Sequence, residues 1–192
     1  MPKFSSEERK RIYETLIEKG KELFNEKGFY EITAEHIARA AGIAKGTFYH
    51  FFENKEHLYM VINNRIQEEV FGNIRTLLGN LENEGQVERF YHVLCYAIEQ
   101  FMENPLMMEI DARVWQRIEE KAPKESVEEN SIRDLRLFET IQNSGIQFRY
   151  DLQQTMRILQ LQFLQLPYIK EAQDVENMKI ILRALSEHLI ME

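Results

Sequence analysis

One cysteine, four prolines and eight glycines are few for a chain of 192 residues. The lone Cys95 excludes an internal disulfide framework and fits a reducing compartment. No apolar run approaches the roughly 18 residues that a membrane span requires, so no membrane partner is expected. The segment MPKFSSEERKRI lacks the apolar stretch of a secretory leader, and a cytoplasmic location is the expectation. Catalytic and metal-binding patterns are missing too. Histidines 36, 50, 57, 92 and 188 show no His-Glu-x-x-His spacing, and no glycine-rich phosphate loop follows a strand. Cys95 sits on an apolar helix with no activating partner near it in sequence. Neither an enzyme, a cofactor nor a metal is expected.

What is present points to helices. Hydrophobic residues at 44% and charged residues at 29% describe a globular chain with a core rather than a disordered one. Apolar residues recur at three- and four-residue spacing, and glycine or proline falls mostly between these runs. The reading is all-α, with about nine helices. The expected helices run from Ser5 or Ser6 to Lys27-Gly28, Ala34–Ala41, Ala44–Phe51, Lys55–Leu81, Gln86–Glu103 and Leu106–Lys121. A charged stretch, Lys124–Asn130, then leads into a helix ending near Asn143, followed by Asp151–Leu166 and Asp174–Ile190. Residues 1–54 are expected to form one domain and residues 55–192 a second. The net charge of −8 is unevenly held: residues 1–60 carry ten basic and ten acidic side chains, so the whole deficit lies beyond them. Polyanion binding is therefore not excluded for the amino-terminal part.

That part contains AEHIARAAGIAKGTFYHFFENKEHL, residues 34–58. Around Gly42, apolar residues fall five before (Ile37), one before (Ala41), one after (Ile43), six after (Phe48) and nine after (Phe51), with a small residue, Ala38, four before. Two short helices that cross steeply need a small contact residue, a glycine at the turn and buried side chains at these offsets. This is the helix-turn-helix pattern; a generic helical hairpin inside an all-α core is the plainer alternative. On the helix-turn-helix reading Ala44, Lys45, Gly46, Thr47, Tyr49 and His50 face outward. Small residues at Ala44 and Gly46 allow close approach to base edges in a major groove. Lys45 reaches a guanine edge or a phosphate, Thr47 a thymine methyl or a phosphate, and Tyr49 and His50 donate to phosphates. Lys55 adds positive charge at the start of the next helix.

The run LFNEKGFYEITAEHIARAAGIAKGTFYHFFENKEHL, within a likeness extending over Ile12–Leu58, resembles the DNA-binding domain of the TetR family of bacterial transcriptional regulators. The resemblance implies that Thr33, Tyr49, His50 and Lys55 contact phosphates, and that Lys45, Gly46 and Thr47 lie against bases. Ala44 departs from the pattern, since the family most often has a phosphate-contacting serine there. The resemblance further implies a repressor, a roughly palindromic double-stranded DNA site, a helical effector-binding domain and a homodimer formed through the last two helices.

The remaining sequence is compatible with that organisation. Leu152, Met156, Leu159, Phe163 and Leu166 form one stripe, and Met178, Ile181, Leu182, Leu185 and Leu189 another. Doubled by symmetry, they make a four-helix interface; burial in the chain's own core is the alternative. Met156, Leu159, Phe163, Leu182, Leu185 and Leu189 are the candidate interface residues. Tyr91, Cys95, Tyr96, Met102, Met108, Trp115 and Phe138 are candidate walls of a pocket for a largely apolar small molecule, with ordinary core packing as the alternative. Gly72, well inside an expected helix, either packs too closely for a side chain or marks a point where the helix bends. A constitutive helix-turn-helix DNA-binding protein without an effector is the rival reading of the whole chain.

Overall fold

The computed structural model describes residues 4–104, 106, 112–169 and 171–191. Among them are nine α-helices: α1 (Ser6–Glu31), α2 (Ala34–Ala40), α3 (Lys45–Phe48), α4 (Lys55–Asn80), α5 (Gln86–Glu103), α6 (Ala112–Lys121), α7 (Lys124–Asn143), α8 (Leu152–Phe163) and α9 (Ala172–Leu189). A single 3-10 turn, Leu166–Tyr168, lies between the last two. The charged stretch after Pro123 is itself helical: α7 starts at Lys124 rather than after Asn130. Its Glu-rich composition favours helix, and an alternation of charges does not oppose one. Residues 107–111, the start of the helix expected from Leu106, lie outside the described residues.

The chain packs as two compact units, one of residues 1–66 with 105–131, the other of residues 67–104 with 132–192. Packing groups the first turns of α4 with α1–α3 and α6.

In the first unit, Ser5 caps α1: its hydroxyl accepts from the Glu8 N–H at 3.2 Å, and the Glu8 carboxylate accepts from the Ser5 N–H at 2.8 Å. Gly28 adopts φ 78°, which breaks the helix geometry one turn before its end. Phe24 and Phe29 meet the edge of Tyr59 at ring-centroid distances of 5.2 and 5.1 Å, over a core containing Leu16, Ile37, Phe48, Phe52 and Leu58. Tyr59 donates its hydroxyl proton to the Leu106 carbonyl at 2.7 Å. Glu56, only 3% exposed, accepts from the Arg117 Nε–H at 2.8 Å and so ties α4 to α6. A β-carbon at Gly20 would lie 2.8 Å from Leu58 Cδ2, so α1 and α4 approach each other through that glycine.

In the second unit, α5 and α9 are joined by Arg183, whose two terminal nitrogens grip the Glu88 carboxylate while its guanidinium carbon lies 3.7 Å from the Tyr91 ring centroid. This pairing holds the Glu88 carboxyl below the usual carboxylate range. Phe148 sits against Phe90 and Phe138 and forms a short antiparallel bridge with Ile190.

The close-packing explanation of Gly72 is overturned: a β-carbon there would meet only the tip of Arg75, at 4.0 Å. Gly72→Ala is therefore expected to raise the thermal midpoint, adding up to about 1 kcal/mol from helix propensity alone. A lowered midpoint in a melting experiment would contradict this.

The candidate interface residues divide. Leu159, Leu182 and Leu189 are buried within their own chain, so they offer no area to a second copy. Met156, Phe163 and Leu185 are half-buried. The most exposed apolar side chains here are Leu161 on α8, Leu164 just after it, and Ile180 (68% exposed) and Ile181 on α9. Three- and four-residue spacing gives the stripe but not which of its two edges faces inward.

Candidate nucleic-acid interface

The reading head is α2, a turn and α3. Thr33 begins it, its hydroxyl accepting from the His36 N–H at 3.2 Å as the cap of α2. The helix ends in a Schellman motif: the Ile43 N–H reaches the Ala38 carbonyl at 3.0 Å and the Gly42 N–H the Arg39 carbonyl at 3.1 Å. Gly42 has φ 68°, a left-handed conformation that glycine adopts without the clash of a β-carbon. Ile37, Ala38 and Phe48 are buried and seat the two helices, as the offsets from Gly42 require. After the four regular residues of α3 the chain continues in tight turns, with Phe51 and Phe52 both donating to the Phe48 carbonyl.

These buried anchors fix what points outward. Thr33, Ala44, Lys45, Gly46, Tyr49 and His50 are exposed, and Thr47 is half-exposed between them. Apart from its chain neighbours and the helix's own backbone, no atom of the described residues lies within 4 Å of the position a Gly46 β-carbon would take. Lys45 is held by Glu35, whose carboxylate lies 3.3 Å from its ammonium and 3.4 Å from Arg39 Nη2. The Glu35–Arg39 spacing of four was readable in the sequence; the Glu35–Lys45 pair, across the turn, was not. Both pairs are exposed and contribute little to stability, so a polyanion exchanges readily for the carboxylate.

Lys55 departs from its expected role. Its ammonium donates to the carbonyls of Phe29 at 2.6 Å and Ile32 at 2.7 Å, and lies 4.3 Å from the Phe29 ring centroid. It closes the end of α1 instead of offering a free charge. Burial pulls its pKa from 10.5 down to about 8, with Arg117 and Lys121 acting in the same direction and Glu56 opposing. Lys55→Met is expected to cost about 1–3 kcal/mol of stability, because two carbonyls lose their donor. The salt dependence of DNA binding should not change. The sign of the pH effect follows from linkage. Between about pH 8 and 10.5 the unfolded chain holds a proton the folded one lacks, so wild-type stability relative to Lys55→Met should rise through that window and be flat below it. Urea unfolding of both proteins across this range checks the prediction; an advantage that shrinks with pH would refute it.

The candidate pocket residues divide between the two units. Trp115 belongs to the first unit, and Tyr91, Cys95, Tyr96, Met102 and Phe138 to the second. Met108 lies outside the described residues. Tyr91 is covered by Arg183, and burial pushes the pKa of the Cys95 thiol up. Tyr96 accepts from Asn73 at 2.9 Å, Phe138 is packed on Phe148, and Met102 is at the surface. Among the described residues no cluster of three or more potential metal ligands occurs, and no helix is long and apolar enough to cross a membrane.

The family model for bacterial regulatory proteins of the tetR family matches residues 16–61, the segment that builds this reading head. The Transposon Tn10 TetC protein of Escherichia coli is 39% identical over 49 residues, 26% of this chain and 25% of that protein. The HTH-type transcriptional repressor DhaR of Mycobacterium sp. (strain GP1) is 33% identical over 73 residues, 38% of this chain and 35% of that protein. The chain thus spans between a quarter and about a third of the length of these two curated relatives. The fold likeness is far longer. A tetR-family regulator from Shewanella sp. PV-4 superposes with a TM-score of 0.62 at 20% identity, covering 94% of this chain and 99% of the other. KstR2, the ketosteroid transcriptional regulator of Mycobacterium tuberculosis, superposes at 0.61 and 18% identity, covering 94% and 95%.

Proposed function

We propose that this chain, a member of the TetR family of bacterial regulatory proteins through its residues 16–61, is a sequence-specific DNA-binding transcriptional regulator. The observation that carries the reading is the outward face of α3. Ala44, Lys45, Gly46 and Thr47 stand clear of the core on a helix whose buried side supports close approach to a major groove. Thr33, Tyr49 and His50 flank them as phosphate contacts, and Lys55 acts by supporting the end of α1. Residues 1–54 are the reading part and residues 55–192 the regulatory part.

The finer reading is a cytoplasmic homodimeric repressor released from its operator by a small molecule. The name of DhaR supports repression, and the open apolar face of Leu161, Leu164, Ile180 and Ile181 supports a second copy across α8 and α9. A two-fold dimer reads a roughly palindromic site. The rival, constitutive binding without an effector, has the same DNA behaviour but no ligand-dependent loss of affinity. The chain has no proposed enzymatic role.

Lys45→Ala tests the assignment. Its expected cost is about 1–3 kcal/mol of specific binding, with relaxed preference at one base pair in each half-site, if the lysine contacts a base edge. Competition titrations against single-base variants of the selected site measure this. A uniform loss at every variant would place Lys45 on a phosphate instead.

A further inference from the structure

In the second unit a groove of about 450 Å³ opens between the end of α4, the start of α5 and the end of α7. Its walls combine the polar side chains of Arg75, Arg89, Glu82, Thr140, Asn143 and Ser144 with an equal share of apolar surface, where the sequence implies a largely apolar pocket. Arg89 decides what the groove is for. It is 7% exposed, and one terminal nitrogen donates to the Ser144 carbonyl at 2.7 Å. Its Nε–H is buried with no acceptor, and among the described residues no carboxylate lies within ion-pair reach of it. A guanidinium stays charged at any physiological pH, and a buried charge needs a counter-charge to offset its desolvation. Arg89 also stands near the beginning of α5, where the helix dipole favours anions over cations.

The rim adds charge of the same sign. Arg75, exposed, has only a long 3.8 Å pairing with Glu68. An adjoining depression shares Arg75 and Thr140 and brings in Arg136. Glu82 is the acid on the groove wall itself, and Glu68 is engaged by Arg133. This basic groove lies in a unit that is acidic overall, with nine Lys and Arg against fifteen Asp and Glu.

We propose that the groove binds a small organic anion, a carboxylate or a phosphate monoester, whose charged group lies between Arg89 and Arg75 and whose apolar part rests on Leu78 and Gly79. The planar fork of arginine matches both anions, and the volume suits a small ligand. Thr140 and Asn143 supply neutral hydrogen-bonding groups beside the charge. Calling this anion the effector rests on the regulatory reading above; the binding itself does not.

Calorimetric titration of the full chain, without DNA and at fixed ionic strength, tests the proposal with benzoate, phenyl phosphate and benzyl alcohol. At least one of the two anions should bind saturably and the neutral alcohol should not, the stronger anion identifying the source of the charge. Arg75→Glu, at an exposed position, should fold normally and weaken that anion by at least about tenfold; Arg89→Gln should do so too where it folds. Absence of binding by both anions at millimolar concentration overturns the proposal. So does equal binding of the alcohol, or an unchanged affinity in Arg75→Glu. Because no DNA is present, failure here leaves the DNA-binding reading standing, and failure of that reading leaves this result intact.

Discussion

Gly46→Leu is expected to abolish specific DNA binding while leaving the melting curve of the protein nearly unchanged. The position is exposed, and a β-carbon there meets nothing within 4 Å, so the folded chain accepts a larger side chain. Leucine also has the higher helix propensity, by up to about 0.8 kcal/mol. Against DNA the same side chain holds α3 away from the base edges, and every contact made by Lys45 and Thr47 lengthens with it. Affinity for the specific site should fall to the non-specific level, a loss on the order of a thousandfold or more. Circular dichroism melting paired with operator titration reads both halves of the prediction. Retained specific affinity in a folded Gly46→Leu protein would place the reading surface elsewhere.

The second large effect is on stability. Arg117→Leu is expected to cost about 3–5 kcal/mol at neutral pH, because it leaves the buried Glu56 carboxylate without its partner. Adding Glu56→Gln removes the stranded charge and should recover a large part of the loss at pH 7. A double variant no more stable than Arg117→Leu alone would show that the ion pair does not link α4 to α6 in this way. Urea unfolding of the wild type and the two variants at pH 7 provides the comparison.

The reading head was legible in sequence because each of its constraints is local. The Gly42 turn, the Thr33 cap and the buried Ile37 and Phe48 lie within sixteen residues of one another, and helical periodicity connects them. What could not be read depends on contacts between distant segments. Lys55 shows the difference: nothing in its neighbourhood in sequence indicates that the carbonyls of Phe29 and Ile32 converge on its ammonium. Glycine misleads in the same way. Gly72 stands out in sequence inside a long helix, yet its surroundings are open, whereas Gly20 is the residue through which two helices approach. The stripes on α8 and α9 were correct as stripes, but Leu182 faces inward and Ile181 outward, a rotation of one position that spacing alone leaves free. The basic groove is not legible in sequence because Arg75, Arg89 and Thr140 come from three helices separated by a long stretch of chain.

Selection of DNA from a randomised pool by the purified wild-type protein, followed by anisotropy titrations of the recovered sites at several salt concentrations, bears on the whole reading. Enrichment of one roughly palindromic sequence is expected, with half-site centres about 10 base pairs or a multiple apart. Its affinity should exceed that for scrambled DNA by about a thousandfold or more, and both affinities should fall as salt rises. A pool recovered without enrichment, or equal affinity for selected and scrambled DNA, would contradict a sequence-specific regulator.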